Sequence, residues 1–320
     1  MSAIIETRAL TREFRVRDGV RRRRIRAVTD LDLSVEAGEA VGYIGANGAG
    51  KSTTIKMLTG ILVPTSGSAR TCGREPVRER RQLAREIGVV FGQRSQLWWD
   101  LPVRDSFRLL AAIHGLAADR AKSRSEELVE RLEIGEFLTT PVRQLSLGQR
   151  MRAEVAAALL HSPRLVILDE PTIGLDVLSK QRLREFLIAE RREQGTTLML
   201  TTHDMGDVER LCDRILVVDR GRLAYDGTLA GLSRTVGAQR VLVVDLDRPT
   251  PDLVGIRDTR HLGSQGDGLR QELAFDSEAT TAAQVLASVT ALAGVVDLAI
   301  REPDIEDVVR RIYAVSRTGP

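Results

Sequence analysis

The chain has 320 residues, with 47 Lys and Arg against 44 Asp and Glu and 42% hydrophobic residues. That length fits roughly two domains with ordinary apolar cores, and a formal net charge of +3 permits contact with anionic lipid or nucleic acid without establishing it. The two cysteines, Cys72 and Cys212, have no metal-type spacing and read as reduced thiols of a cytosolic chain.

In chain order, the opening "MSAIIETRALTREF" lacks the long apolar segment of a signal peptide. No run of about 18 apolar residues follows, so nothing is expected to span a bilayer. The expectation is a cytoplasmic chain that serves a membrane, if any, from the side. The basic run "RRRRIR" (21–26) reads as a solvated loop, with phosphate backbones or anionic headgroups as the alternative contacts. "AVGYI" (40–44) reads as a strand, followed by a glycine-rich turn and a helix starting near Gly50. From about 94 to 162 the pattern turns helical, and "SEELVERLEIGEFL" carries apolar residues at a spacing near 3.6. "RLVILD" (164–169), "TTLMLTTH" (196–203) and "RILVVD" (214–219) read as buried parallel strands. This alternation predicts a layered α/β domain. The chain divides near 228–238, giving a first domain over 1–235 and a second over 236–320. The second reads as strand ("RVLVVDLD"), helix ("TAAQVLASVTAL"), strand ("VVDLAI") and a last helix with Ile305, Val308, Val309 and Ile312 on one face.

Two stretches carry chemistry. "GANGAGKS", Gly45 to Ser52, fits G-x-x-x-x-G-K-[ST] between a strand and a helix. Its glycines let successive N–H groups curl toward phosphate oxygens, and the helix N-terminus adds partial positive charge. Gly45, Ala46, Asn47, Gly48, Ala49, Gly50, Lys51, Ser52 and Thr53 are therefore the candidate nucleotide-binding residues. Lys51 is placed to reach the β- and γ-phosphates and Ser52 to ligate Mg²⁺. "LVILDE" sets Asp169 and Glu170 at the end of an apolar strand, the edge where open α/β sheets bind ligands. Asp169 suits the Mg²⁺ shell, and Glu170 suits deprotonation of an attacking water.

"LSLGQ" (Leu145, Ser146, Leu147, Gly148 and Gln149) lies about 20 residues before that pair and resembles the signature of ABC-type ATPases. Gln93 resembles the family's Q-loop glutamine, "GLD" (174–176) its D-loop and His203 its switch histidine, all in the family's order. The resemblance covers residues 3–228 and extends more loosely to the tail, which looks like the accessory domain of subunits that pair with export permeases. It implies a P-loop NTPase fold of ABC type, with an antiparallel β subdomain, a helical subdomain over about 94–162 and a small α+β C-terminal domain. It further implies ATP and Mg²⁺ as ligands, and a head-to-tail homodimer in which Ser146 and Gly148 touch the ATP of the partner. Within that dimer Glu170 is the base, His203 holds the γ-phosphate, Gln93 senses Mg²⁺ and water, and Asp176 links the two sites. The subunit would hydrolyse ATP to drive export through a separate integral membrane permease, working on the inner face of the cell membrane. One departure stands out: the position that usually stacks an aromatic ring on adenine is Arg22, and Phe14 lies further upstream. Phe14, a stacked arginine plane or no stack at all remain the alternatives.

The chain's two tryptophans, Trp98 and Trp99, are adjacent in "FGQRSQLWWDLP". Neighbours cannot both face one core, so they are candidates for permease contact, where buried Trp anchors interfaces. Packing between the two subdomains is the alternative. The single Asn, Asn47, leaves no Asn for a guanine motif or a kinase catalytic loop, which excludes GTPase and kinase readings. No heptad run supports a DNA-clamping ATPase, and only one cassette is present where translation-type members usually have two. No nucleic-acid partner is expected.

Overall fold

A computed structural model of the chain describes residues 3–18, 21–92, 95–202, 204–235, 239–276 and 279–301, and at 16–18, 21–22 and 233 the backbone alone. Contacts divide it into two units, Met1–Thr228 and Leu229–Pro320. The division falls at the start of the 228–238 stretch, so the helix Leu229–Thr235, which the boundary at 235 left with the first domain, goes with the second unit.

In the first unit β1 (Ala3–Asp18) and β2 (Arg21–Glu36) form a long antiparallel hairpin. The basic run expected as a solvated loop is strand instead. It pairs with β1 in register Phe14↔Ile25 and Arg15↔Arg24, and Glu13 accepts from Arg26 at 2.6 Å and lies 3.9 Å from Arg24. The pleat sends Arg23 and Arg24 to opposite faces, which spaces their charges.

β3 (Ala40–Gly45) leads into α1 (Lys51–Leu58), and β4 (Ser66–Thr71) returns to the hairpin sheet, whose order is β2-β1-β4. A short α2 (Arg80–Leu83) precedes β5 (Ile87–Val90). Three helices follow: α3 (Val103–His114), α4 (Ala118–Arg131) and α5 (Leu147–Leu159). The 3.6 spacing runs on to Leu138, but α4 stops at Arg131. Glu133 takes φ 52°, and Arg152 of α5 donates to the Leu132 and Glu133 carbonyls at 3.2 Å each, occupying acceptors at the helix end. β6 (Leu165–Asp169), α6 (Val177–Gln194), β7 (Thr197–Thr201), α7 (Met205–Leu211), β8 (Arg214–Asp219) and β9 (Arg222–Gly227) complete a six-stranded sheet of order β5-β6-β7-β3-β8-β9. Its strands are parallel except β9.

The continuous apolar strands are explained by burial on both faces. Val166 and Leu168 of β6 join the core of the helical layer, with Phe107, Leu128 and Val155. Leu165 and Ile167 join the core under the hairpin sheet, with Ile5, Leu31 and Tyr43. Each such side chain contributes about 1.5–3 kcal/mol. The helical layer is also anchored by a buried ion pair: Arg124 of α4 donates to Glu190 of α6, which is fully buried.

The second unit holds α8 (Leu229–Thr235), β10 (Arg240–Leu246), β11 (Thr259–Gln265), β12 (Arg270–Phe275), α9 (Ala282–Thr290) and β13 (Val295–Arg301). Its antiparallel sheet has the order β11-β12-β10-β13 and a core of Leu242, Val244, Phe275, Val285 and Val289. The strand, helix and strand read from the sequence are β10, α9 and β13. β11 and β12 were not read, because "TRHLGSQ" and "RQELAF" mix polar residues and a glycine into their alternation. The helix read on Ile305, Val308, Val309 and Ile312 lies outside the described residues.

Candidate nucleotide site

The loop from Gly45 to Gly50 joins β3 to α1 at the carboxyl ends of the parallel strands. Ala46, Asn47 and Gly48 are exposed, while Ala49 and Gly50 are buried. Gly50 caps α1 at φ 104°, and a Cβ there would come within 2.3 Å of the Ala27 carbonyl, so only glycine fits. Lys51 folds back over the loop and donates to the Gly45 carbonyl at 2.5 Å and the Ala46 carbonyl at 3.3 Å. Burial pulls the pKa of its ammonium down, against the upward pull of Glu170 and then Asp169. Those carboxylates are therefore close enough to act on the same cation. Ser52 is exposed at the helix start and Thr53 is half-buried.

Asp169 ends β6 and accepts from the Thr201 hydroxyl of the adjacent strand. Glu170 turns sharply out of the strand at φ 56°, with its N–H donating to the Thr201 carbonyl at 2.9 Å. Gln93 and His203 lie outside the described residues, but their neighbours are at this edge. A Cβ on Gly92 would sit 3.1 Å from the Asp169 carbonyl and 3.8 Å from Glu170 Cβ. Thr201 and Thr202 lead up to 203, and the Asp204 N–H donates to the Thr202 hydroxyl at 2.9 Å. The oxygen donors here, a serine hydroxyl and a fixed carboxylate beside a phosphate-shaped loop, fit Mg²⁺, which takes hard oxygen ligands together with substrate phosphates and water.

The sequence reading missed the supports of this edge. Asp207 is fully buried and accepts from Thr172 and, at 2.6 Å, from Arg184 Nε. Lys180 donates to Asp204 at 2.6 Å. This network spans α6, α7 and the loop after Glu170, and its only sequence signal is a pair of aspartates just past His203.

The signature segment opens α5. The Ser146 hydroxyl accepts from the Gln149 N–H at 3.1 Å, and the Gln149 side chain accepts from the Ser146 N–H at 2.9 Å, a reciprocal cap. Leu147 packs on Gly174, where φ is 72° and a Cβ would meet Leu147 Cδ2 at 2.2 Å. A Cβ on Gly148 would meet Leu175 at 3.1 Å, with no atom of the glycine loop within 4 Å. Within one chain, then, the signature rests on the D-loop rather than on the nucleotide loop. Asp176 caps α6, accepting from the Ser179 N–H at 2.9 Å and its hydroxyl at 2.7 Å, which holds its carboxyl below the usual range.

Trp98 and Trp99 are 37% and 52% exposed, so neither is core filling. Arg150 of α5 lies over the Trp99 ring, 5.8 Å from its centroid. Phe14 is half-buried with the Arg12 guanidinium 4.8 Å above its ring, and the Arg22 side chain lies outside the described residues. Among the described residues no helix is long and apolar enough to cross a membrane.

The sequence profile of ABC transporters matches residues 28–173. The linearmycin resistance ATP-binding protein LnrL of Bacillus subtilis is 31% identical over 285 residues, covering 87% of this chain and 91% of that protein. Nod factor export ATP-binding protein I of Cupriavidus pinatubonensis is 38% identical over 228 residues, 71% of this chain and 67% of that protein. The methionine import ATP-binding protein MetN 2 of Enterococcus faecalis is 32% identical over 253 residues, 77% and 72%. A bacterial ABC transporter cassette solved as a dimer superposes with a TM-score of 0.62 at 25% identity, over 70% of this chain and 98% of that one. Such cassettes hydrolyse ATP and form dimers. The chain belongs to the ATP-binding subunits of ABC transporters and is an ABC-type ATPase.

Proposed function

We propose that two copies of this chain close head-to-tail over two ATP molecules on the inner face of the cell membrane and drive export through a separate permease. The observation that carries the catalytic part is that Lys51, following β3, and Asp169 and Glu170, at the end of β6, share one edge of the parallel sheet beside the glycine loop. The backbone from Gly45 to Thr53 receives the phosphates, and Lys51 exchanges its loop carbonyls for the β- and γ-phosphate oxygens. Ser52, Asp169 and Gln93 would hold Mg²⁺, which would supply positive charge to offset that developing on the phosphates. Glu170 takes a proton from the attacking water. The new bond forms at the γ-phosphorus while the bond to the β–γ bridging oxygen breaks, and ADP leaves with that oxygen. His203 steadies the γ-phosphate. Leu145 to Gln149 complete the site of the partner chain, which the distance of Gly148 from its own glycine loop favours, and Asp176 joins the two sites.

Trp98 and Trp99 present the face for the permease. Export is favoured by the resistance and export functions named for two of the relatives, while MetN 2 is named for import. Glu170→Gln keeps the shape and removes the base, so turnover should fall by about 10² or more with an ATP-loaded dimer trapped on gel filtration. Normal turnover by that variant would remove Glu170 from its role. Uptake rather than efflux by vesicles carrying the complex would reverse the direction.

A further inference from the structure

The segment after Gln93 is fastened to the signature helix by one buried side chain. Glu154 of α5 is 5% exposed and lies eight residues, about 12 Å of helix, beyond Ser146. Its carboxylate accepts from the Ser95 hydroxyl and, at 3.2 Å, from the Gln96 N–H, while its backbone carbonyl accepts from the Gln96 side-chain amide at 2.9 Å. Ser95 in turn receives the Leu97 N–H at 3.1 Å, and the Trp98 N–H donates to Ser106 of α3 at 3.1 Å. One turn earlier on α5, Arg150 covers Trp99. A buried carboxylate is costly without partners, and here its hydrogen bonds, among the described residues, go to Ser95 and Gln96. Burial raises its pKa while Ser95, Gln96 and Arg150 pull it back. Nothing in the proposed chemistry of ATP cleavage uses it.

We infer that Glu154 is a positioning residue that makes the signature helix and the Trp98–Trp99 face move as one body, so that nucleotide-driven movement of Ser146 and Gly148 is felt at the tryptophans and pressure on the tryptophans is felt at the signature. The inference rests on the reading of Ser146–Gly148 as the segment that contacts ATP. The physical reason is leverage. α5 is a rigid rod whose first turn carries the signature, and the three hydrogen bonds at its middle grip the chain directly before the tryptophans. Without the two made by the Glu154 side chain, the segment would keep on α5 only the Gln96 amide on the Glu154 carbonyl at 2.9 Å and the guanidinium of Arg150, 5.8 Å from the Trp99 ring, while the Trp99 carbonyl still accepts from the Arg143 N–H at 3.0 Å ahead of the helix.

The two tryptophans are the chain's only ones, so tryptophan fluorescence, excited where the tyrosines do not absorb, reports this face alone. The test compares acrylamide quenching of the full-length protein with and without magnesium and a non-hydrolysable ATP analogue, alongside analogue binding measured by calorimetry. In the wild type the analogue should change the quenching. Glu154→Ala should bind the analogue with about wild-type affinity yet lose the response, with quenching already raised in its absence. Glu154→Gln keeps an acceptor for Gln96 and a partner for Ser95, and should restore the response. Ser95→Ala should weaken it while analogue affinity stays near the wild-type value. A retained response in Glu154→Ala, or a wild type that binds the analogue with no change in quenching, would overturn the inference. So would a Glu154→Ala protein that loses binding along with the response, because that outcome marks a purely structural residue. A wild type that fails to bind the analogue would overturn the proposed function, and this inference with it.

Discussion

Acid should destabilise the first unit through one histidine. His161 follows α5 and is 9% exposed, with its Nε2 at 3.0 Å from the Ile87 carbonyl and its ring stacked on His114 at 3.9 Å between centroids. Burial, then His114, push its pKa down to about 4 from 6.5, against a smaller upward pull from the Ile87 carbonyl. His114 is pushed the same way by burial and by Arg85. A histidine whose folded pKa is depressed stays neutral in the native state while the unfolded chain takes up the proton. Stability is therefore whole above the unfolded value and is lost as pH falls from about 6.5 toward about 4. For His161 alone the loss between about pH 7.5 and pH 5 is about 2 kcal/mol. Buried Glu154 and Glu190, whose carboxyls are pushed up by desolvation, act with the opposite sign. The histidine is isolated by difference, comparing wild type with His161→Gln in urea titrations followed by near-ultraviolet circular dichroism. The stability of the wild type relative to the variant should fall by about 2 kcal/mol across that interval. A difference that does not change with pH would refute the reasoning.

Lys51→Ala should weaken ATP binding by tenfold or more, since the loop loses its one side-chain cation toward the phosphates; fluorescent-nucleotide titration reads this out. Arg124→Ala leaves the buried carboxylate of Glu190 with Arg131 alone, 4.0 Å away, and should cost about 3–5 kcal/mol in denaturant unfolding, whereas replacing both partners by Met and Leu should come close to neutral. Gly174→Ala imposes a left-handed alanine, about 1–2 kcal/mol, and drives a methyl into Leu147. It should depress ATPase turnover through the displaced signature while nucleotide binding by the glycine loop survives.

The parts of this molecule that were legible in the sequence are those whose chemistry is written in consecutive residues. Gly45 to Ser52 form one turn between one strand and one helix, so spacing alone defines the cradle. β3, β6, β7 and β8 were legible because burial on both faces forces unbroken apolar runs. The hairpin was not legible at 21–26, because arginines carry no strand signal of their own and become strand by pairing with β1. The supports of the site stayed hidden for a related reason. Thr201 holds Asp169 across 32 residues, Thr172 reaches Asp207 across 35, and Ser95 reaches Glu154 across 59. No local period records such contacts, and a buried glutamate on an apolar helix face reads as an interruption of the pattern rather than as a clamp.

The placement of these contacts along α5 has a mechanical consequence. At its N-terminus Leu147 and Gly148 sit on Gly174 and Leu175 of the loop after β6. At its middle Glu154 grips the chain that follows β5 and Gln93. Just past its C-terminus His161 takes the carbonyl of Ile87 at the start of β5. One helix thus touches, at its N-terminus and centre, the connections that follow two neighbouring strands and, past its C-terminus, the start of one of those strands. A rod held at three points resists rotation about any one of them. A shift of the signature must therefore displace the D-loop, the tryptophan face or the β5 anchor, and both the D-loop, through Ile173 and Asp176, and the tryptophan face carry exposed side chains that a partner can reach.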